Sequence, residues 1–168
     1  FLPIVTIYKA KDLAFVLRQS GAKAIVTPDK FRGTDYAALL AACGDLPDLK
    51  HHFVAGDSYA ALEAGEPGSD PARVAPEAFS FLVYTSGTAA DPKGVMHSGA
   101  TLLAELDAQA EARGPVEKET FLSPWPPGHV AGALQMLRFV AHGTPVVAMD
   151  QRNAQEAARL VDTYRITA

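Results

Sequence analysis

Between residues 84 and 98 the chain reads YTSGTAADPKGVMHS. Thr85, Ser86 and Thr88 supply hydroxyl donors, Gly87 lets backbone amides approach a ligand with no Cβ in the way, and Lys93 adds one cation. Short donors grouped around a point charge suit a polyphosphate, whose oxygens accept hydrogen bonds and whose charge attracts an ammonium. The Walker loop GxxxxGK[ST] does not fit. Lys93 follows Pro92 rather than a glycine, and Gly94 stands where the magnesium-binding hydroxyl belongs. Pro92 also lacks a backbone donor and restricts its predecessor, so the segment is not expected to run straight into a helix as a Walker loop does. Taken one residue at a time, the cluster would equally serve as a hairpin or loop connection.

The elements that must hold these residues alternate between helix and strand. KAKDLAFVLRQSGA places Leu13, Val16 and Leu17 on one helical face and stops at Gly21, and KAIVT follows as a short buried strand. TDYAALLAACG reads as a helix with Thr34 as its N-cap and Gly44 as its stop; HHFVAG is a second strand and SYAALEAG a brief helix. Residues 65–77, rich in glycine, proline and acidic side chains, form a surface loop leading into the strand AFSFLVYT, from whose end the hydroxyl cluster hangs. Beyond the cluster come a helix from Ser98, a strand in ETFLSP, a proline-rich turn, a helix VAGALQMLRFVAHG, a strand TPVVAMD and a helix capped by Asn153. Val146, Val147 and Ala148 suit a strand buried on both faces. The alternation predicts an α/β fold with mostly parallel strands and ligands at their carboxyl ends.

With 168 residues, 48% of them hydrophobic and 20% charged, the chain can bury a core of its own without metal or disulfide staples. A formal net charge of −4 gives no electrostatic reason to expect nucleic acid as a partner. Cys43 is the sole cysteine, which excludes an intramolecular disulfide and suits a reducing cytoplasm; it reads as a small buried residue on a helix. No apolar run approaches a membrane span. The start FLPIVTIY, without a methionine, and the end YRITA, which reads as the opening of another strand, mark an expected piece of a longer protein.

Read as a whole, YTSGTAADPKGVMHS closely resembles the signature YTSGTTGxPKGVxHS of the adenylate-forming, AMP-binding superfamily, which includes acyl-CoA synthetases, luciferases and peptide-synthetase adenylation domains. YKAKDLAFVLRQSGAKAIVTP and SPWPPGHVAGAL are similar to further segments of that superfamily, so the likeness covers nearly all of residues 1–168 as one partial N-terminal domain. The resemblance implies an acyl-CoA synthetase of the fatty-acid–CoA ligase type. It would join a small-molecule carboxylate to ATP as an acyl-adenylate and then pass the acyl group to coenzyme A, with Mg2+ as the metal. It assigns Thr85, Ser86, Gly87, Thr88 and Lys93 to the ATP phosphates, and His129, with Gly132 and Trp125, to the acyl pocket. Trp125 after a proline reads equally as core packing, and Gly132 as ordinary flexibility at a helix entry.

The chain departs from the signature at Ala89-Ala90, where the superfamily has Thr-Gly; if residue 90 requires φ > 0, alanine there costs roughly 1–2 kcal/mol. Gly99 is a second departure, at a position where many relatives carry a polar residue. The adenine-stacking motif with its metal-binding acid, the ribose-binding aspartate, the hinge and the catalytic lysine of the superfamily have no counterpart here, so no catalytic or metal-ligating residue is assigned and residues 1–168 alone are expected to be inactive. Asp45, Asp48, Glu63 and Glu66 read as surface charges, and Asp91 matches no ligand position. His51, His52 and His142 read as solvated or structurally bonded, and His97 as packing beside the loop. Two other readings stand beside the ligase: a non-catalytic α/β ligand- or partner-binding domain that keeps a degenerate phosphate loop, and an unrelated nucleotide hydrolase, which the failed Walker order disfavours.

Overall fold

The computed structural model describes residues 1–56, 59–60, 63–65, 73–85, 91–114, 119–149 and 153–168. They fall into two compact units, one containing Ile7–Arg73 and the other Phe1–Thr6, Val74–Thr85 and Lys93–Ala168.

In the unit containing Ile7–Arg73, helix α1 (Ala10–Ser20) buries Leu13, Ala14, Val16 and Leu17 on one side and ends at Gly21 with φ 62°, a left-handed cap. Strand β1 (Ala24–Thr27) follows and pairs in parallel with β4 (His51–Val54), in register from Ala24 opposite His51 to Thr27 opposite Val54. Between them lies a small hairpin, β2 (Lys30–Phe31) and β3 (Thr34–Asp35), closed by Arg32 at φ 51° and Gly33 at φ 79°. Two positive φ angles in a two-residue turn match the right-handed twist of the flanking strands. Helix α2 (Tyr36–Ala41) starts from Asp35, whose Oδ1 accepts the Ala38 N–H at 2.9 Å. The expected cap, Thr34, sits in β3 instead, because the hairpin carries the chain one residue further before it turns helical. Cys43 is buried but lies just past α2, donating Sγ–H toward the Leu39 carbonyl at 3.3 Å. Arg18 ties α1 to that turn, donating to the carbonyls of Cys43 and Asp45 at 2.7 and 2.8 Å.

The other unit is built on an antiparallel ladder, β5 (Phe79–Thr85) with β6 (Lys93–Ser98). Helices α3 (Gly99–Arg113) and α4 (Val130–His142) bring Leu102, Leu106, Ala133 and Leu134 onto Phe81 and Val83 to form its core. The spacing of four between Leu102 and Leu106, and of three and four among Val130, Ala133, Leu134 and Leu137, gives each helix one apolar stripe. The expected Ser98 cap is present as a capping box: its Oγ accepts the Thr101 N–H at 3.2 Å while Thr101 Oγ1 accepts the Ser98 N–H at 3.1 Å. Strand β7 (Phe121–Ser123) leads into α4 and then into β8 (Val146–Ala148), which pairs with β7 in parallel. Helix α5 (Ala154–Tyr164) is capped by Asn153, whose Oδ1 accepts from Gln155 and Glu156.

On the edge of β7 away from β8, the Leu122 N–H donates to the Ala168 carbonyl and the Ala168 N–H to the Thr120 carbonyl, the hydrogen-bond pattern of a parallel neighbour. Burial on both faces does not hold for β8: Val146 and Val147 are half-buried and Ala148 is exposed.

Arg138 is 1% exposed, and Glu119 acts on its charge without a direct ion pair among the described residues. Its guanidinium donates to Gln109 and Gln135 and lies 4.4 Å from the centre of the Phe121 ring, so amide oxygens and an aromatic face make its direct contacts. Burial, with Arg113 nearby, pulls its pKa below the usual arginine value. Among the described residues no helix is long and apolar enough to cross a membrane.

Candidate nucleotide-binding hairpin

The ladder β5–β6 ends at the pair Thr85–Lys93. The strand Lys93–Ser98 was not expected from the sequence, where lysine and glycine at its start are poor strand formers and VMH shows no clear alternation. It agrees with the bar that Pro92 places on direct entry into a helix. The hydroxyl-rich run is thus bracketed by two antiparallel strands, and both bracketing residues are exposed. Thr85 Oγ1 reaches the Lys93 carbonyl at 3.5 Å. Ser86, Gly87 and Thr88, with Ala89 and Ala90, lie outside the described residues. His97 pairs with Phe81 toward the end of the ladder opposite Thr85–Lys93 and is half-buried.

Side chains alternate across a strand, so Thr85 and Lys93 share the face of Phe81 and Val83, while Tyr84 and Gly94 share the other. A Cβ on Gly94 would lie 3.1 Å from Leu82 Cδ1 and 3.2 Å from Tyr84 Cζ, so the absence of a side chain there is what lets Tyr84 close over β6.

The turn before α4 holds the second expected group. His129 is the N-cap of α4, its Nδ1 accepting the Ala131 N–H at 3.2 Å. With Nδ1 occupied as an acceptor, the neutral ring carries its proton on Nε2. The imidazole stacks on Trp125, ring centres 5.4 Å apart and planes 23° from parallel. Trp125 is 42% exposed, so it is not a core residue of this unit. Gly132 is buried in the first turn of α4, where a Cβ would come within 2.6 Å of the Trp125 carbonyl oxygen and nearer still to that of Pro126. The close approach this glycine permits is to the chain's own turn, which seats the Trp125–His129 stack on the helix start. A spacing of four between Trp125 and His129 around Pro-Pro-Gly was the available signal for that stack.

The remaining histidines have structural partners: His52 Nε2 with Thr27 Oγ1 at 2.8 Å, His142 Nε2 with Asp107 Oδ1 at 3.0 Å, and His51 stacked on Phe53. Asp48 pairs with Lys23, and that hydrogen bond lowers its carboxyl pKa below the usual value. Among the described residues no three His, Cys, Asp or Glu side chains converge as a metal site. The donors of this segment, hydroxyls and an ammonium, fit phosphate oxygens rather than a divalent cation.

The profile of the AMP-binding enzyme family matches residues 1–168, the entire chain. The chain belongs to that family. Among its relatives is the long-chain-fatty-acid–CoA ligase FadD13 of Mycobacterium tuberculosis, 25% identical across 98% of this chain and 33% of that enzyme. A 2-succinylbenzoate–CoA ligase of Bacillus velezensis is 26% identical across 94% of this chain and 30% of its own length. This AMP-binding chain therefore spans about a third of the curated relatives it matches. In three dimensions it superposes on the inhibitor-bound N-terminal domain of FACL13 from Mycobacterium tuberculosis with a TM-score of 0.83 at 24% identity, covering 98% of this chain and 41% of that one. The fold is that of the N-terminal domain of an adenylate-forming enzyme, with alternating helices and strands and, among the described residues, two of four ladders parallel.

Proposed function

We propose that residues 1–168 are part of the N-terminal domain of an ATP-dependent carboxylate–CoA ligase, which activates a carboxylate as its acyl-adenylate and transfers the acyl group to coenzyme A. The observation that carries this reading is the ladder end: Thr85 and Lys93, opposed in register and exposed, bracket the hydroxyl run of a chain whose whole length matches the AMP-binding family. The CoA ligases among its relatives support the second half-reaction.

In this reading Thr85, Ser86, Gly87, Thr88 and Lys93 hold the phosphates of ATP. Lys93 offsets charge that builds on the departing pyrophosphate, and the hydroxyls and amides orient it; none of them forms a bond to substrate. His129 presents Nε2–H to the carboxylate, its ring held by the Ala131 N–H and the Trp125 stack, while Trp125 and Gly132 shape the wall of the acyl pocket. Mg2+, when bound with ATP, supplies charge neutralisation at the phosphates. A cytoplasmic location accords with the lone buried Cys43. Residues 1–168 by themselves do not turn over.

Carboxylate-dependent exchange of pyrophosphate into ATP by the full-length protein tests the ligase reading; no exchange across a broad panel of acyl, aryl and alicyclic acids would overturn it. The Ala89-Ala90 pair favours the second reading, a ligand- or partner-binding domain without turnover. Its signature is ATP binding by calorimetry with no exchange.

A further inference from the structure

One pair behind the end of the ladder, Tyr84 stands opposite Gly94, the residue bonded to Lys93. Tyr84 is 8% exposed although the ladder opens to solvent one residue later at Thr85. The distances to a Cβ built at Gly94, 3.2 Å from Tyr84 Cζ and 3.4 Å from Cε1, put the ring on the backbone of β6 where the ladder begins. Glycine is a poor strand residue unless an opposing aromatic covers it. Here the aromatic is present, and the strand it steadies is the one that delivers Lys93.

We propose that Tyr84 is a positioning residue for Lys93: its ring, seated on Gly94, clamps the first residues of β6 and so fixes where the Lys93 ammonium meets the polyphosphate. This rests on the assignment of Lys93 to the ATP phosphates. An exposed lysine has a flexible stem and many conformers, so a charge useful in a transition state needs its backbone anchored in advance. Tyr84 supplies the anchor from the face opposite Lys93. Displacements of about 1 Å of a positioned group can cost on the order of a hundredfold in rate.

The test is a double-mutant cycle in the full-length protein, read by ATP–pyrophosphate exchange. Tyr84→Leu is expected to lower kcat/KM for ATP by about tenfold or more while leaving KM for the carboxylate unchanged, and Tyr84→Phe, which keeps the ring, to recover most of the loss. In a Lys93→Ala background, Tyr84→Leu should cost less than about twofold further, because a residue acting through Lys93 has nothing left to act through. Full additivity of the two losses, or wild-type exchange by Tyr84→Leu, overturns the proposal while the phosphate reading stands. Wild-type exchange by Lys93→Ala overturns both. If Tyr84→Leu does not fold, Gly94→Ala disturbs the same contact from β6, and its loss must likewise vanish in the Lys93→Ala background or the proposal fails.

Discussion

The middle of the β5–β6 ladder and its open end are built from the same two strands, yet they are held by different means. In the middle, Phe81 and Val83 lie under Leu102, Leu106, Ala133 and Leu134, and the side chains are interchangeable with others of similar volume and polarity. At the end, Thr85 and Lys93 are exposed, with one 3.5 Å contact from hydroxyl to carbonyl between them. Nothing in the packing of this unit's described residues asks for a lysine at residue 93. A residue with chemistry to offer and no structural employment belongs where the ladder has stopped needing side chains, and the packed middle supplies the rigidity that makes its position reproducible.

Substitutions at the two places should therefore separate function from stability. The largest effect expected is on activity: Lys93→Ala in the full-length protein should lower carboxylate-dependent exchange by roughly 10²–10³-fold, about 3–4 kcal/mol of transition-state stabilisation, with the thermal unfolding temperature little changed. An equal fall in both would erase the distinction. In the middle, Leu106→Ala removes a fully buried side chain from the core and should cost about 3 kcal/mol in urea unfolding, with exchange by the molecules that remain folded nearly unaltered. At the far end of β6, Ser98→Ala breaks the capping box of α3 and should cost about 1 kcal/mol. A neutral result there would show that α3 is held by its apolar stripe alone.

The smallest effect lies in the other unit, in the exposed Lys23–Asp48 pair. Lys23 depresses the Asp48 pKa, so the pair contributes stability above the ordinary carboxyl pKa of about 3.9, and that contribution is lost as pH falls through the lower folded value. Asp48→Asn should be slightly less stable than the wild type at pH 7, and the gap should narrow toward pH 3. A gap independent of pH would assign it to something other than the carboxylate.

Most element positions were legible in the residues, for reasons that are local. Gly21 ends α1, Ser98 and Asn153 cap the helices that follow them, and Leu13, Val16 and Leu17 mark the buried face of α1. The elements that escaped notice have weak local signals. The two-residue strands β2 and β3 are set by a turn at Arg32 and Gly33, and arginine is an unusual residue at positive φ. Strand β6 begins with Lys-Gly and is made a strand by its partner β5, an interaction the six residues do not encode alone.

The site divides along the same line. The order of hydroxyls, glycine, proline and lysine in YTSGTAADPKGVMHS was enough to reject a Walker loop, because donor types and the φ restriction of proline are properties of the residues themselves, and its resemblance to the superfamily signature pointed to the AMP-binding family. Which residue faces which across the ladder was decided only by the tertiary fold: Lys93 opposite Thr85 and Tyr84 over Gly94. Facing across a ladder depends on strand register, which does not follow from residue type or from spacing within one strand.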